Sequence, residues 1–291
     1  MTSFPPDAPF VRAGPERPAS PVVLSVPHAG RDYSAALLKA ARVPRATLET
    51  LEDRLVDRLV WRAVQQGATA FIARTPRAEI DLNRDEREID PALVAPPPPA
   101  ASILQSARTR GGLGLVPSRI AGTGAIWLHR LSRDELRRRV ETVHRPYHAA
   151  LAEALAAARE RFGAAVLLDC HSMPPRGPIG GVKPATIVFG DRHGRSIAPA
   201  LLDAAIAAAR REGFSASANS PYAGGHVVGR HGRPGEDVHA LQIEIDRSFY
   251  LDDGLREAGP GFDRAAMLIA AVAAALAEQI LHAPPAAIAA E

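Results

Sequence analysis

The chain has 291 residues, a charged fraction of 23%, a formal net charge of +3 and one cysteine. This length is ample for a substantial hydrophobic core, in one large domain or two small ones. The single cysteine, Cys170, excludes an intrachain disulfide and a cysteine-rich zinc module. Nearly all the cations are arginines, and no basic stripe alternates with aromatic residues, so we expect no nucleic-acid partner.

Five short apolar runs predict β-strands that are covered on both faces, which is typical of a mainly parallel sheet. In chain order they are residues 21–26, 69–73, 165–169, 185–190 and 241–246. Helical patterns occupy residues 47–67, 132–163, 196–213 and the Ala-rich segment from Phe262. The first should end at Gly67, and the second should begin with a Ser132–Glu135 capping box and bend near Pro146.

This alternation predicts an α/β fold with a mixed, mainly parallel central sheet flanked by helices. We expect a single domain over residues 1–291, with flexible ends at 1–20 and 284–291. The connection over 84–120 is long enough to be a lid, and the glycine-rich stretch over 223–235 also has the composition of a mobile loop. The most apolar tract, 265–277, is shorter than the ~20 residues of a membrane helix. We therefore expect no membrane partner and a cytoplasmic location.

Polar residues follow the predicted strands, at the positions where ligands bind in open α/β sheets. They are His28 after the first strand, Asn83 and Arg84 in the polar segment "EIDLNR", Asp169 and His171 at the third strand, and Glu244 in the last. Two histidines and a carboxylate at one sheet edge are the donors of a catalytic zinc site, which has three protein ligands and a fourth position for water.

The carboxylate ligand has three candidates near the start of the first long helix, namely Glu52, Asp53 and Asp57. Asp53 and Asp57 would lie one helical turn apart on one face, and Asp53 is better placed for a loop-borne site. An acid in a first helical turn is also favoured by the helix dipole, and a histidine after a strand can be a plain turn residue. The residues alone leave these alternatives open.

Glu244 lies between Ile243 and Ile245, where an unpaired carboxylate costs several kcal/mol. Its environment predicts either a general base with a raised pKa or an ion pair with Arg247. Asp169 should lie on the same side of its strand as His171 and could orient that imidazole. Cys170 should point to the opposite side, into the core, which argues against a cysteine nucleophile.

Taken together, several segments resemble the N-formylglutamate amidohydrolase family. They are "LSVPHAGRDYS", "EDRLVDRLV", "EIDLNRDE", "HRPYHAAL", "LLDCHSMP", "YAGGHVVGRHG" and "LQIEIDRSFYLD". The resemblance implies a zinc-carboxypeptidase-like fold, with one Zn²⁺ per chain held by His28, Asp53 and His171. It further implies that Asn83 and Arg84 grip a substrate carboxylate and that Glu244 activates water. The chain departs from the expected Thr-Asp-Trp-like run, since it has Glu52-Asp53-Arg54 instead.

The activity that this resemblance implies is hydrolysis of N-formyl-L-glutamate, or a close N-acyl acidic amino acid, to formate and L-glutamate, as in histidine breakdown. Such a substrate carries two carboxylates, so we expect a second cationic grip beside Arg84, with Arg230 and His231 as candidates. The alternatives are a deacylase for another N-acyl amino acid, a carboxypeptidase-like zinc hydrolase, and a non-catalytic protein that binds a small organic acid.

Overall fold

The computed structural model describes residues 8–178, 180–181 and 183–282. The chain divides into two compact units. Unit 1 comprises Met1–Val11, Pro27–Glu52 and Ala73–Ala149, and unit 2 comprises Arg12–Val26, Asp53–Ile72 and Ala150–Glu291. The single-domain organisation stays a prediction. Of the expected flexible ends, residues 1–7 and 284–291 lie outside the described residues, whereas Phe10–Ala13 form a strand and not a flexible tail.

Eleven strands occur in the described part of the chain. They are β1 (Phe10–Ala13), β2 (Val22–Val26), β3 (Thr69–Ala73), β4 (Val94–Ala95), β5 (Arg119–Ile120), β6 (Gly124–Ala125), β7 (Leu131–Ser132), β8 (Ala165–Met173), β9 (Ile187–Gly190), β10 (Ala216–Ala218) and β11 (Val238–Asp246). Seven of them form one sheet, in the order β1-β3-β2-β8-β11-β9-β10.

This sheet is mixed and mainly parallel, as predicted. Parallel pairs join β2 to β3, β2 to β8, β8 to β11 and β9 to β10, whereas β9 runs antiparallel to β11. All nine residues of β8 are buried, and so are all those of β11 except Asp246. Burial of both faces explains why these strands read as near-continuous apolar runs. The short strands β1 and β10, which are less buried, were not predicted.

The helices are α1 (Ala35–Ala40), α2 (Arg45–Leu48), α3 (Val56–Leu59), α4 (Trp61–Gln65), α5 (Ala107–Arg110), α6 (Arg133–Arg139), α7 (Arg145–Phe162), α8 (Pro199–Arg211), α9 (His226–His231), α10 (Arg247–Tyr250) and α11 (Phe262–His282). In unit 2, α11 packs against α3, α4, α8 and α10 and against strands β2 and β8.

The single helix predicted over 47–67 was wrong. The segment is divided into α2, a 3₁₀ turn over Glu49–Leu51, α3 and α4, and Leu55 adopts a left-handed conformation with φ of 62°. Asp53 and Asp57 therefore do not share one helical face. Asp53 lies in the irregular part between the 3₁₀ turn and α3, where tertiary contacts of its carboxylate outweigh the helical propensity of the sequence. Gly67, with φ of 100°, follows the end of α4 as expected.

The predicted helix over 132–163 is present but not uniform. Its first turn is capped as expected, since the Glu135 amide donates to Ser132 Oγ over 3.1 Å. Between α6 and α7 the chain forms a π-helical turn over Val140–His144, which ends two residues before Pro146. Proline has no amide hydrogen to donate to the preceding turn, and a wider turn is one way in which a helix absorbs that loss.

Two stretches predicted as loops contain regular structure. Residues 84–120 include β4, α5 and β5, and β5 pairs with β6 in a hairpin. Residues 223–235 include α9, so they are not a mobile loop. A Cβ at Gly229 would lie 3.1 Å from the Arg192 guanidinium, which indicates that this glycine permits close packing. The composition alone does not distinguish glycine used for packing from glycine used for mobility.

Helix α11 is long and apolar enough to cross a membrane, with a mean hydropathy of 1.7 over 18 residues. It is also the central packing helix of unit 2, and Leu268, Ile269, Val272 and Leu276 are fully buried. A buried core helix has the same composition as a spanning helix. Its contacts with the sheet therefore account for its apolar character.

Candidate active site and metal centre

A group of polar side chains interrupts the apolar core of unit 2, and we call it the polar sheet face. Its members are Ser25 on β2, Asp169 and His171 on β8, and Gln242 and Glu244 on β11. The strand register pairs Ser25 and Gln242 with Asp169, and Glu244 with His171. Paired residues on parallel neighbours point to the same side, and so do alternate residues along one strand.

Cys170 lies on the other side of β8, opposite Ile243. It is fully buried, and burial, with a smaller contribution from Asp169, raises the pKa of its thiol well above the ordinary value. The thiol is therefore inert, as the alternation along the strand predicts.

His171 is held between two carboxylates. Its Nδ1 lies 2.8 Å from Asp53 Oδ2, and its Nε2 lies 2.8 Å from Asp169 Oδ2. Ser25 Oγ donates to the other oxygen of Asp169 over 2.8 Å. Burial would lower the pKa of His171, but the charges and hydrogen bonds of Asp169 and Asp53 outweigh it and hold that pKa well above its ordinary value. The pair of carboxylates thus favours a positive charge at this point.

Asp53 is fixed by contacts on both of its oxygens. Oδ2 faces His171, while Oδ1 accepts from Arg247 Nη2 over 2.9 Å and from Ser172 Oγ over 3.2 Å. Of the three acids considered from the sequence, Asp53 is the one with a hydrogen bond to His171, whereas Glu52 accepts from Tyr33. The cation Arg247, considered as a partner for Glu244, lies against Asp53.

Glu244 is the most exposed member of the polar sheet face, with 8% of its surface accessible. Gln242 Nε2 donates to Glu244 Oε1 over 2.8 Å, and the amide of Gly225 donates to Gln242 Oε1 over 2.8 Å. This chain of hydrogen bonds anchors the carboxylate of Glu244 to the residue that caps α9. The orientation of Glu244 is therefore set by a neutral amide donor.

Unit 1 contains a second buried histidine–aspartate pair. His28 Nε2 lies 2.7 Å from Asp81 Oδ1, and Arg77 Nε donates to Asp81 Oδ2 over 2.9 Å. Burial would raise the pKa of Asp81, but Arg77, Arg84 and His28 outweigh it and hold that pKa well below its ordinary value. Because the carboxylate is ionised and can only accept, His28 donates from Nε2, which leaves Nδ1 as the nitrogen able to bind a metal ion.

Asn83 and Arg84 lie two and three residues after Asp81, and both are buried. The Asn83 amide donates to Asp81 Oδ1 over 2.8 Å. Arg84 donates to the carbonyls of Leu113 and Asn83 over 2.8 and 2.6 Å, and its Nη2 lies 3.7 Å from Asp81 Oδ2. That Nη2 group is buried without a hydrogen-bond partner among the described residues, so it retains the capacity to donate to an anion.

Arg230 and His231 lie at the end of α9 in unit 2. Arg230 is exposed. His231 is buried, and burial together with the neighbouring cation Arg230 lowers its pKa to about 3. His231 is therefore neutral at pH 7 and can offer a hydrogen bond, but no charge, to a carboxylate.

Three residues that contact the predicted site residues were not predicted from the sequence: Asp81, Arg77 and Gln242. Gln242 lies two residues before Glu244, as Asp169 lies two residues before His171, so the same alternation could have indicated it. Asp81 stands two residues before Asn83 in "EIDLNR". Only the fold shows that Arg77 turns towards Asp81.

His28 in unit 1 and His171 in unit 2 each use one ring nitrogen on a buried aspartate, Asp81 or Asp169. That arrangement orients histidine ligands in metal sites and fixes their tautomer. The carboxylate of Asp53 lies against the other ring nitrogen of His171. Two imidazoles and a carboxylate are also the donor set of catalytic zinc sites, so these residues fit a divalent metal ion.

The sequence pattern of the N-formylglutamate amidohydrolase family matches residues 20–251. The chain belongs to this family. The N-formylglutamate deformylase of Pseudomonas aeruginosa strain PAO1 is 32% identical over 240 residues, which cover 80% of this chain and 83% of that one. The N-formylglutamate deformylase of Pseudomonas putida is 31% identical over 235 residues, which cover 80% and 82%. As a member of this family, the chain is an amide-hydrolysing enzyme.

Solved structures give the same result for the fold. A crystal structure of N-formylglutamate amidohydrolase from Ralstonia eutropha JMP134 superposes with a TM-score of 0.85 and 36% identity, covering 94% of this chain and 98% of the other. A gene product of Agrobacterium tumefaciens superposes with a TM-score of 0.60 at 19% identity, covering 93% and 96%, and shows the fold alone. The α/β fold predicted from the sequence is thus confirmed.

Proposed function

We propose that this amidohydrolase hydrolyses the formyl amide of N-formyl-L-glutamate to formate and L-glutamate, with one Zn²⁺ ion per chain. Its family and its deformylase relatives support this substrate. The observation that carries the proposal is the environment of His171, which lies between Asp53 and Asp169 and beside Glu244 on the polar sheet face. Carboxylates gathered around an imidazole, which binds metal ions in its neutral form, favour a divalent cation.

In this proposal His28, Asp53 and His171 hold the metal ion, and Asp81 and Asp169 orient the two imidazoles. Arg247 and Ser172 donate to Oδ1 of Asp53, so Oδ2 is the oxygen that would bind an ion. When bound, a divalent ion polarises the amide carbonyl and makes water more acidic. The hydrogen bonds from these neighbouring residues would hold each ligand side chain in one rotamer.

Glu244 acts as the general base. Its carboxylate takes a proton from the attacking water and passes it to the nitrogen of the leaving glutamate as the C–N bond breaks. The hydrogen bond from Gln242 holds Oε1, so that Oε2 faces the substrate. One water is consumed, and its oxygen is retained in formate.

Asn83 and Arg84 bind one substrate carboxylate, and the remaining donor capacity of Arg84 Nη2 supports this role. Arg230 is the better candidate for the second carboxylate, because His231 carries no charge at pH 7. His231 would contribute a hydrogen bond. The cytoplasmic location and a place in histidine breakdown stay predictions.

The test combines metal analysis with an assay of glutamate release from N-formylglutamate. Wild-type protein should hold about one zinc ion per chain, and a chelator should abolish turnover. Glu244→Gln should retain the zinc ion and lose turnover by about 10²–10⁴-fold, the usual contribution of a general base. Turnover at the wild-type rate in Glu244→Gln would show that another group activates water.

A panel of N-formyl, N-acetyl and peptide substrates separates the remaining alternatives. Preference for N-formylglutamate supports the proposal, while preference for an N-acetyl or a peptide substrate indicates a different deacylase or a carboxypeptidase-like hydrolase. Protein that contains no stoichiometric metal and releases no amine from any of them would be a small-acid-binding protein.

A further inference from the structure

Two histidines of unit 1 contact the backbone next to Asp81 and have no part in the proposed chemistry. His144 ends the π-helical turn and His148 lies in α7, one turn further on. Both are fully buried, at 0% and 1% exposure, and their ring centroids are 4.5 Å apart. Two buried imidazoles this close together can contact one common target.

That target is the pair of carbonyls on alternate residues of the segment 82–84. His144 Nε2 donates to the carbonyl of Arg84 over 2.8 Å, and His148 Nε2 donates to the carbonyl of Leu82 over 2.9 Å. Since a carbonyl can only accept, both rings carry a proton on Nε2. The histidines thus hold two alternate carbonyls of a turn over residues 82–84 that belongs to no strand.

The same segment is tied on its other side through Asp81. The Asp81 amide donates to the carbonyl of Leu115 over 2.7 Å, and the Asn83 amide donates to Asp81 Oδ1 over 2.8 Å. Asp81 Oδ1 also accepts from His28. A shift of residues 82–84 would therefore move the Asn83 amide, and with it the oxygen that fixes the tautomer of His28.

We propose that His144 and His148 are positioning residues: they clamp the backbone of 82–84 and thereby fix Asp81 and the metal-binding tautomer of His28. The proposal rests on the proposed function only in taking His28 as a metal ligand. Two successive hydrogen bonds, from the Asn83 amide to Asp81 and from His28 to Asp81, connect the clamped segment to His28. Its effect on metal affinity should be smaller than that of removing Asp81 itself.

A competing role is direct metal binding, because two buried imidazoles whose ring centroids are 4.5 Å apart could themselves hold an ion. The two Nε2 atoms are occupied by carbonyls, so only Nδ1 atoms would serve as ligands. Stoichiometry separates the two roles. A clamp predicts one metal ion per wild-type chain and per His148→Leu chain, whereas a second site predicts two ions, of which the variant loses one.

The experiment compares His148→Leu with His148→Gln in the full-length protein. Leucine removes the donor, while the Nε2 group of glutamine can replace it. We expect His148→Leu to bind zinc about tenfold more weakly in a chelator competition, the lower end of the effect of removing groups that orient metal ligands, and His148→Gln to recover most of the affinity. His144→Leu should act in the same direction.

The matched control is His239→Leu, which removes another fully buried histidine. His239 lies on β11, and its ring makes no hydrogen bond with the described residues. Its replacement should leave zinc affinity unchanged. Equal losses in His239→Leu and His148→Leu would mean that any buried histidine matters for general stability, and the clamp would be disproved.

A second readout needs neither metal nor activity. Long-range ¹H–¹⁵N correlation spectra of metal-free protein report which ring nitrogen of each histidine carries a proton, with the His28 signals assigned from a His28→Gln variant. Wild-type protein and His148→Gln should show His28 protonated on Nε2, and His148→Leu should show a mixture of both tautomers. An unchanged His28 tautomer in a folded His148→Leu protein would overturn the proposal. Absence of zinc from the wild type would instead refute the proposed function.

Discussion

The polar sheet face of unit 2 and the segment around Asp81 in unit 1 each hold a buried histidine against an aspartate, in opposite electrostatic surroundings. Around His171 lie the two carboxylates of Asp53 and Asp169, and the cation Arg247 donates to Asp53. Around Asp81 the cations Arg77 and Arg84 and the imidazole of His28 surround its carboxylate.

The two regions act differently on the histidine that each contains, His171 or His28. Excess negative charge raises the pKa of His171 and makes its surroundings receptive to a cation. Excess positive charge keeps Asp81 ionised, so that it accepts from His28 at every ordinary pH. One region therefore supplies affinity for a metal ion, and the other supplies the orientation of a ligand.

The largest expected effect comes from removing the imidazole of the first region. His171→Ala should lose bound zinc, and kcat/KM should fall by at least about 10³-fold, since a metal ion supplies several kcal/mol and each 1.4 kcal/mol is tenfold. Metal analysis and steady-state kinetics measure both quantities.

The neighbouring Cys170 provides the control, because it lies on the opposite side of the same strand. Cys170→Ala should keep the zinc ion and most of the activity, at a modest cost in stability. Loss of metal in Cys170→Ala with retention in His171→Ala would invert the assignment of the two sides of β8.

A second comparison measures the stability of Asp81→Asn and Asp169→Asn variants in metal-free protein. Asp81→Asn leaves Arg77 and Arg84 without their buried counter-charge, and breaking a buried pair in this way costs about 3 kcal/mol. Asp169→Asn should cost less, because Asp53 still contacts the same imidazole. Urea unfolding in the presence of a chelator gives both values. A larger loss for Asp169→Asn would show that the charge balance assigned to the two regions is wrong.

This contrast also explains how much the sequence could predict. Strand positions and the alternation of Asp169, Cys170 and His171 follow from a period of two, so β8 and β11 and the side of each residue were predictable. The break of the first long helix at Asp53 was not, because Arg247 and Ser172, which bind its carboxylate, lie far away in the chain. The clamp on residues 82–84 depends on carbonyl groups, which every residue has and no sequence pattern distinguishes.

A third test probes acid sensitivity at α9, whose N-terminal capping residue, Gly225, donates to Gln242 of the polar sheet face. The folded-state pKa of His231 is lowered to about 3. As the pH falls below about 6.5, His231 binds a proton in the unfolded chain but stays neutral in the folded chain. The free energy of unfolding therefore decreases from pH 6.5 towards pH 3. The loss amounts to about 2 kcal/mol by pH 5, at 1.4 kcal/mol per pH unit.

His231→Gln should remove this part of the slope between pH 6.5 and 5, whereas replacement of the exposed His129 by Gln should leave the slope unchanged. Urea unfolding at a series of pH values measures the difference. The same slope in wild type and His231→Gln would mean that His231 becomes protonated without unfolding α9.

The smallest expected effect comes from a comparison of two serine hydroxyls, one that contacts the polar sheet face and one that caps a helix. Ser25 Oγ donates to Asp169 inside the polar sheet face, and Ser132 Oγ accepts from the Glu135 amide at the start of α6. Each serine-to-alanine change should cost about 1 kcal/mol of stability, the usual value for one hydrogen bond or one helix cap. Only Ser25→Ala should also weaken zinc binding, by a few-fold, because Asp169 loses the donor that fixes its rotamer beside His171. Equal zinc affinity in the two variants would mean that His171 alone is sufficient to hold Asp169 in place.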